Sequence, residues 1–247
     1  MVTKLLIAIV FLSPLAFLSA CTSHCGISHG TVVIASMDAD SIILAADSRE
    51  TDVFFSSKKV TFADTAHKIF HIGQTFFAIA GLSELCTTST RKFVTDVYDT
   101  AKSIKENMPV VEARLRKALQ SELDSYSIKQ KRLLAGHDYS VVLDIAGYEK
   151  GIPTLCRIDA GVKFVNLFAN PVQSSASISA GRKIFDIAGI YDHIYEVKIN
   201  LDSNKLRTMR QLISLEARYH KDVDSLVQYV VIKKDGYRTG TVSGVQR

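Results

Sequence analysis

His29-Gly30-Thr31-Val32-Val33-Ile34-Ala35 is followed, sixteen residues after Thr31, by Asp47 in Ile42-Ile43-Leu44-Ala45-Ala46-Asp47-Ser48-Arg49, and the reading of these two runs decides the fold. Both are short apolar stretches that read as strands. Together they give Thr31 the setting of a nucleophile. A threonine hydroxyl is weak unless a base sits beside it, and one chemical solution uses the residue's own free α-amino group. That solution requires a cut between Gly30 and Thr31. Glycine suits the position before such a cut, because without a Cβ it tolerates strained backbone and lets a hydroxyl approach its carbonyl. The plain alternative is a β-branched residue that opens a strand, where threonine is common.

Further runs extend the pattern. Ile43-Leu44-Ala45-Ala46-Asp47-Ser48-Arg49 is a second strand ending in an aspartate and an arginine. His67-Lys68-Ile69-Phe70-His71-Ile72 and Phe76-Phe77-Ala78-Ile79-Ala80-Gly81 form a following hairpin, and Val230-Val231-Ile232-Lys233-Lys234-Asp235-Gly236 is a late strand with its turn. With the Gly30-Thr31-Val32-Val33 junction, these blocks resemble the β-type subunits of the proteasome and its bacterial relatives, which are N-terminal-nucleophile hydrolases. The likeness spans residues 30–238 and is strongest before residue 82. It implies an α/β, four-layer αββα sandwich, with Thr31, Asp47 and Lys68 catalytic. Lys68 would lie close to the hydroxyl and lower its pKa, while Asp47 would pair with Lys68 and keep it charged and oriented. Arg49 would support them from behind, and Gly81 would offer its backbone N–H to an oxyanion.

Some residues depart from the family pattern. Between Asp47 and Lys68 the chain carries a surplus that includes Phe54-Phe55-Ser56-Ser57-Lys58-Lys59. Lys59 is a rival for the lysine role, but only Lys68 opens the expected Lys-Ile-Phe-His-Ile strand. Ser179, in Ser177-Ile178-Ser179-Ala180-Gly181, is the nearest match to a glycine-flanked serine before a helix. The family's late aspartate falls on Tyr219 by counting back from Asp235-Gly236. Asp222 takes that role only with a shift, and no Ser-Gly follows either residue.

Residues 1–20 carry a different signal. Lys4 precedes sixteen mostly apolar residues, 5–20, interrupted by Pro14 and short for a bilayer span, which reads as a secretory signal. Its end, Leu18-Ser19-Ala20-Cys21, resembles a bacterial lipoprotein processing site that would make Cys21 a lipidated N-terminus tethering the protein to a membrane. The other reading of this stretch is an uncleaved anchor helix. Residues 21–30 are then a short propeptide or linker, and 31–247 the hydrolase domain. Processing at Thr31 would discard Cys21 with the segment to Gly30. Signal removal alone would expose Cys21, itself a candidate N-terminal nucleophile, with Asp47 ten residues too far along. The expected location is secreted or periplasmic, lipid-anchored to the envelope if Cys21 is modified.

The remaining composition is that of a globular domain. Of 247 residues, 47% are apolar and 22% charged, enough to bury a core in one domain. The formal charge of +5 is spread along the chain apart from Lys129-Gln130-Lys131-Arg132 and Lys233-Lys234, so nucleic-acid binding is not indicated. Cys25, Cys86 and Cys156 match no metal motif, and the histidines have no ligand spacing. Cys86 and Cys156 read as core residues, and a disulfide among the three stays open. No Gly-rich phosphate loop occurs. Neither a metal nor an organic cofactor is expected.

Helical periodicity recurs at Leu85, Val94, Val97, Ala101, Ile104 and Met108, then at Val111, Leu115, Ala118, Leu119, Leu123 and Tyr126. Pro109 predicts a break between two helices, and Gly136 an end. Strands follow over 139–146, 154–158 and 161–168. The expected order is strands, two helices, strands, two helices, strand, a layered arrangement with helices on the outer faces. The expected activity is threonine-type hydrolysis of peptide amide bonds outside the cytoplasm, on short or unfolded peptides; homo-oligomeric rings are implied only by the resemblance. The contrasting expectation is a non-catalytic, lipid-anchored scaffold or binding protein.

Overall fold

The computed structural model describes residues 26–30, 32–54, 59–64, 66–85, 88–134, 139–162, 164–165, 168–169, 171–189 and 204–243. Residues 1–20, read above as an export signal, and Cys21, Cys25, Thr31, Cys86 and Gly136 lie outside the described residues.

In chain order the strands β1 (Gly26–Gly30), β2 (Val32–Met37), β3 (Ile42–Asp47), β4 (Glu50–Phe54), β5 (Lys59–Ala63), β6 (Ile69–Ile72) and β7 (Thr75–Leu82) come first. Two-residue strands β8 (Glu84–Leu85) and β9 (Thr88–Ser89) lead to the helices α1 (Thr90–Val97), α2 (Ile104–Ser125) and α3 (Ile128–Leu134). A long hairpin, β10 (Ser140–Glu149) and β11 (Ile152–Gly161), precedes a small one, β12 (Phe164–Val165) and β13 (Phe168–Ala169). Then come β14 (Gln173–Ala180), β15 (Ile184–Gly189), α4 (Lys205–Tyr219), β16 (Leu226–Lys233) and β17 (Gly236–Ser243). The fold is mixed α+β with antiparallel sheets. The larger sheet runs β14-β11-β10-β7-β1-β4-β5, with β6 also paired to β7; the smaller runs β15-β2-β3-β16-β17.

Strand alternation assigns the faces. Val141, Leu143 and Ile145 of β10 join Leu115, Leu119 and Leu123 of α2 in one buried cluster. Val142 and Ala146, on the opposite face of β10, join Val33, Ala35, Leu44 and Ala46 of the smaller sheet in a second. Val32, Ile34 and Ala45, facing away from that cluster, pack with Met209, Leu212 and Ile213 of α4. Every residue of β2 and β3 is buried, which is why both read as continuous apolar runs.

The helices differ from the periodicity reading. Leu85 belongs to β8, α1 ends at Val97, and α2 runs straight through Pro109. The break falls instead at 98–103. There the buried amide of Asn107 donates to the carbonyls of Asp99, Lys102 and Ser103 and accepts from the Asp99 N–H at 2.9 Å. Ser103 and Glu106 form a reciprocal capping box that starts α2. Pro109 is the sixth residue of the helix, which continues past it without the bond to the Lys105 carbonyl. The second half of the helical stretch also divides, because Ser127 and Gln130 exchange side-chain bonds that open α3. The strand expected over 161–168 is instead the end of β11 plus β12, and β14 and β15 occupy a serine-rich region read as the approach to a helix.

One buried charge cluster ties the two sheets together. Arg157 on β11 grips Asp144 on β10 with two bonds of 2.8 Å, and its remaining amine reaches Asp186 of β15 at 2.6 Å and the Ile187 carbonyl at 3.0 Å. Burial pushes the Asp144 carboxyl above the usual carboxylate range, against the pull of Arg157. Replacing Arg157 strands that carboxylate between the sheets. Arg157→Ala is therefore expected to lower unfolding free energy by about 3–5 kcal/mol in urea titration. Arg157→Lys should recover only part of this, since an ammonium has no planar fork for bidentate pairing.

Candidate active site

The chain changes sheets at one residue. β1 is a member of the larger sheet and β2 of the smaller, and only residue 31 separates them. Its two neighbours are pinned on either side. Gly30 is registered opposite Gly81 of β7, and Val32 opposite Gly189 of β15.

Asp47 stands at this crossing, fully buried at the end of β3. One carboxylate oxygen accepts the Val32 N–H at 2.9 Å and the Lys68 Nζ at 2.8 Å. The other accepts the backbone N–H groups of Arg49 at 3.0 Å and Asp224 at 3.2 Å. The carboxylate is thereby fixed relative to the backbone immediately after the Gly30–Thr31 bond. Lys68, 7% exposed, is aimed by its own backbone: its carbonyl accepts from the Ile79 N–H at 3.1 Å and its N–H donates to the Gln228 side chain at 3.2 Å. The Gln228 amide in turn donates to the Ala66 carbonyl. Burial draws the pKa of Lys68 down from its ordinary value, against the opposing pull of Asp47. An amine so placed can take up or hold a proton close to residue 31.

Gly81, like Gly189 on the other side of the crossing, has a positive φ that favours glycine. Its φ is +84°, and an added Cβ would sit 2.1 Å from the Ser140 carbonyl oxygen. Gly81→Ala is expected to force β7 and β10 apart, disturbing the register of Gly81 opposite Gly30, and to lower both the urea midpoint and the rate of any cleavage at Gly30–Thr31. Unchanged stability and processing would remove Gly81 from the site.

The other expected residues are distributed unequally. Arg49 reaches outward: it pairs with Asp64 at 2.5 Å, donates to the Lys221 carbonyl at 2.6 Å and lies over the Phe62 ring. It ties the ends of β3 and β5 to the turn after α4. Asp222, in that turn, accepts from the Thr51 hydroxyl at 3.1 Å, whereas Tyr219 is 61% exposed at the end of α4. Asp224 comes nearer to Asp47 than Asp222 does, through its backbone N–H and through a carboxylate that accepts from the Ser48 hydroxyl at 2.7 Å. Ser179 is a correction. It lies on β14 opposite Leu155, with β11, β10 and β7 between its strand and β1, and the chain turns at Gly181 into β15 rather than a helix. The alternating small residues of 173–180 favour an edge strand there. Lys59 begins β5 at the sheet's edge.

Asp224 and Gln228 went unread in the sequence. The signal for them is register: Val227 pairs with Asp47 and Gln228 with Ala46, which puts the start of β16 beside the site. Cys156 is a buried free thiol whose pKa burial pushes up to about 12, so it is inert. Among the described residues no helix is long and apolar enough to cross a membrane, and no group of three His, Cys, Asp or Glu side chains is placed to hold a metal ion. No protein-family model and no curated protein matches the chain.

Proposed function

We propose that the protein is a self-processing, threonine-type N-terminal-nucleophile hydrolase with a proteasome-like αββα sandwich, cleaving peptide amide bonds outside the cytoplasm. The observation that carries the reading is the buried Lys68–Asp47 pair, held by the Val32 N–H within one residue of the Gly30–Thr31 bond. Two sheets with apolar clusters between them and beneath α2 and α4 support the sandwich. Asp47 at Val32 favours Thr31 over Cys21 as the nucleophile.

In the processing step, the Thr31 Oγ attacks the Gly30 carbonyl carbon and gives up its proton to a base. The C–N bond breaks, the Thr31 nitrogen takes a proton, and an ester joins Gly30 to Oγ. Water then cleaves the ester, releasing a Gly30 carboxylate and leaving Thr31 with a free α-amine. That amine serves as base for later substrates. Lys68 stabilises the developing alkoxide, Asp47 positions Lys68, and the Gly81 N–H is the oxyanion donor. β1 stands in for a substrate: it lies as an extended strand antiparallel to both β4 and β7, ending at Gly30. An incoming peptide fits the same slot.

A second reading has one observation in its favour. Among the described residues β1 alone joins the β4–β5 hairpin to the rest of the larger sheet, as expected of a chain that keeps residues 26–30 permanently. Such a chain is a non-catalytic binding protein, addressed by lipid on Cys21. N-terminal sequencing and intact mass of protein from membrane and soluble fractions distinguish the two. A start at Thr31 supports the hydrolase; a diacylated Cys21 with Gly30–Thr31 uncut supports the scaffold.

A further inference from the structure

A row of registered residues crosses the larger sheet from the cleavage point. Gly30, Gly81, Val141, Ala160 and Ser174 lie side by side on β1, β7, β10, β11 and β14. Along the far half of this row runs a groove of about 410 Å³ lined by Ser140, Val142, Asp159, Gly161, Gln173 and Ser175. Among the described residues Asp159 is its one charged lining residue. Ile158 and Ala160 point into the helix-side cluster, so Asp159 points to the opposite face, the one that carries Arg157. Its carboxylate has no hydrogen bond or ion pair among the described residues, because Arg157 is committed to Asp144 and Asp186. Among the described residues, three carboxylates thus surround one guanidinium, leaving the groove's end with surplus negative charge. Desolvation, followed by repulsion from Asp144 and Asp186, raises the Asp159 pKa despite Arg157.

The spacing relates this charge to the scissile bond. Three strand steps of ~4.8 Å carry a chain from Gly30 to β11, a distance that about four extended residues at ~3.3 Å each would span. Residues preceding the bond occupy the β1 slot, so those following it are the ones free to cross the strand ends.

We propose that this groove receives the part of a peptide substrate that follows the scissile bond and that Asp159 selects a lysine or arginine about three to four residues beyond it. The inference rests on the hydrolase reading. It assigns a substrate class, peptides with a basic residue on the leaving-amine side, and makes Asp159 a specificity-determining residue outside the reacting group.

Internally quenched peptides that differ only in lysine, alanine or glutamate at the fourth position after the bond test it. The lysine peptide is expected to show kcat/KM about tenfold above the glutamate peptide. Asp159→Asn should bring that ratio close to one while leaving the alanine peptide unchanged, and Asp159→Lys should invert it. In parallel, binding of the tetrapeptides Ser-Ala-Gly-Lys and Ser-Ala-Gly-Glu is measured by calorimetry on the full mature protein and on Asp159→Asn. Selective lysine-peptide binding that Asp159→Asn abolishes supports the groove even if no peptide is cleaved, an outcome that would sink the hydrolase reading alone. Cleavage with equal rates for lysine and glutamate peptides, or binding indifferent to Asp159→Asn, overturns the proposal and leaves the hydrolase reading standing.

Discussion

Thr31→Ala is expected to leave the Gly30–Thr31 bond intact in every purified molecule, while the unaltered protein yields a chain beginning at Thr31. The ester route needs the Oγ, and alanine offers no atom to attack the Gly30 carbonyl. Thr31→Ser keeps a hydroxyl and should cut more slowly, since the lost methyl frees the χ1 angle that holds the oxygen in line. Lys68→Ala keeps Thr31 but removes the cation from the developing alkoxide, and the rate of cutting should fall about 10³-fold. Intact mass over a time course reads all three. Cleavage also has a structural signature, because among the described residues β1 is the sole strand linking β4–β5 to the larger sheet. After the cut, amides on the β1-facing edges of β4 and β7 should exchange with deuterium faster than in Thr31→Ala. An uncut chain in the unaltered protein, with exchange identical in the variant, would instead establish the scaffold.

The parts of the fold that could be read in advance are those dictated by local pattern. β2 and β3 are buried along their whole length, so their apolar runs had no competing interpretation. The helix break was misread for a reason that periodicity cannot see. Pro109 looks like a terminus, but Ser103, Glu106 and the buried Asn107 satisfy the loop before it and begin α2 five residues earlier. Pro109 then sits inside the helix, which continues past it without its bond to the Lys105 carbonyl.

The same division runs through the site. Asp47 and Lys68 lie within a short span and were legible from motif resemblance, and the structure brings them to 2.8 Å. Gln228 on β16 and Asp224 just before that strand reach the same place across a separation of 160 residues or more, a register no local window contains. Ser179 failed in the opposite sense. Its flanking sequence resembles a family motif, yet the residues around it alternate in burial and pair with β11 as an edge strand.

Asp47→Ala should destabilise the protein more than Lys68→Met, although the two residues form one ion pair. The asymmetry comes from what each leaves behind. Lys68→Met removes the ammonium, but Asp47 keeps the N–H donors of Val32, Arg49 and Asp224 and stays solvated by backbone dipoles. Asp47→Ala takes the acceptor from all three amides and removes the 2.8 Å counter-charge of a buried lysine at once. A loss of about 3–5 kcal/mol is expected for Asp47→Ala, and roughly half that for Lys68→Met. The pH dependence gives an independent check. Lys68 has a folded-state pKa below its ordinary value of 10.5, with burial the main cause. Between the folded and unfolded values the unfolded chain therefore binds more protons, and stability contributed by this group rises with pH. The cost of burying the charged amine is fully present below the folded pKa and is relieved as pH climbs toward 10.5. Subtracting Lys68→Met from the unaltered protein at each pH isolates this slope in urea titrations from pH 7 upward. The difference should grow in favour of the unaltered protein as pH rises. A flat difference would mean that Asp47 offsets the burial of Lys68 completely, and the lysine would then act at the crossing as a fixed cation.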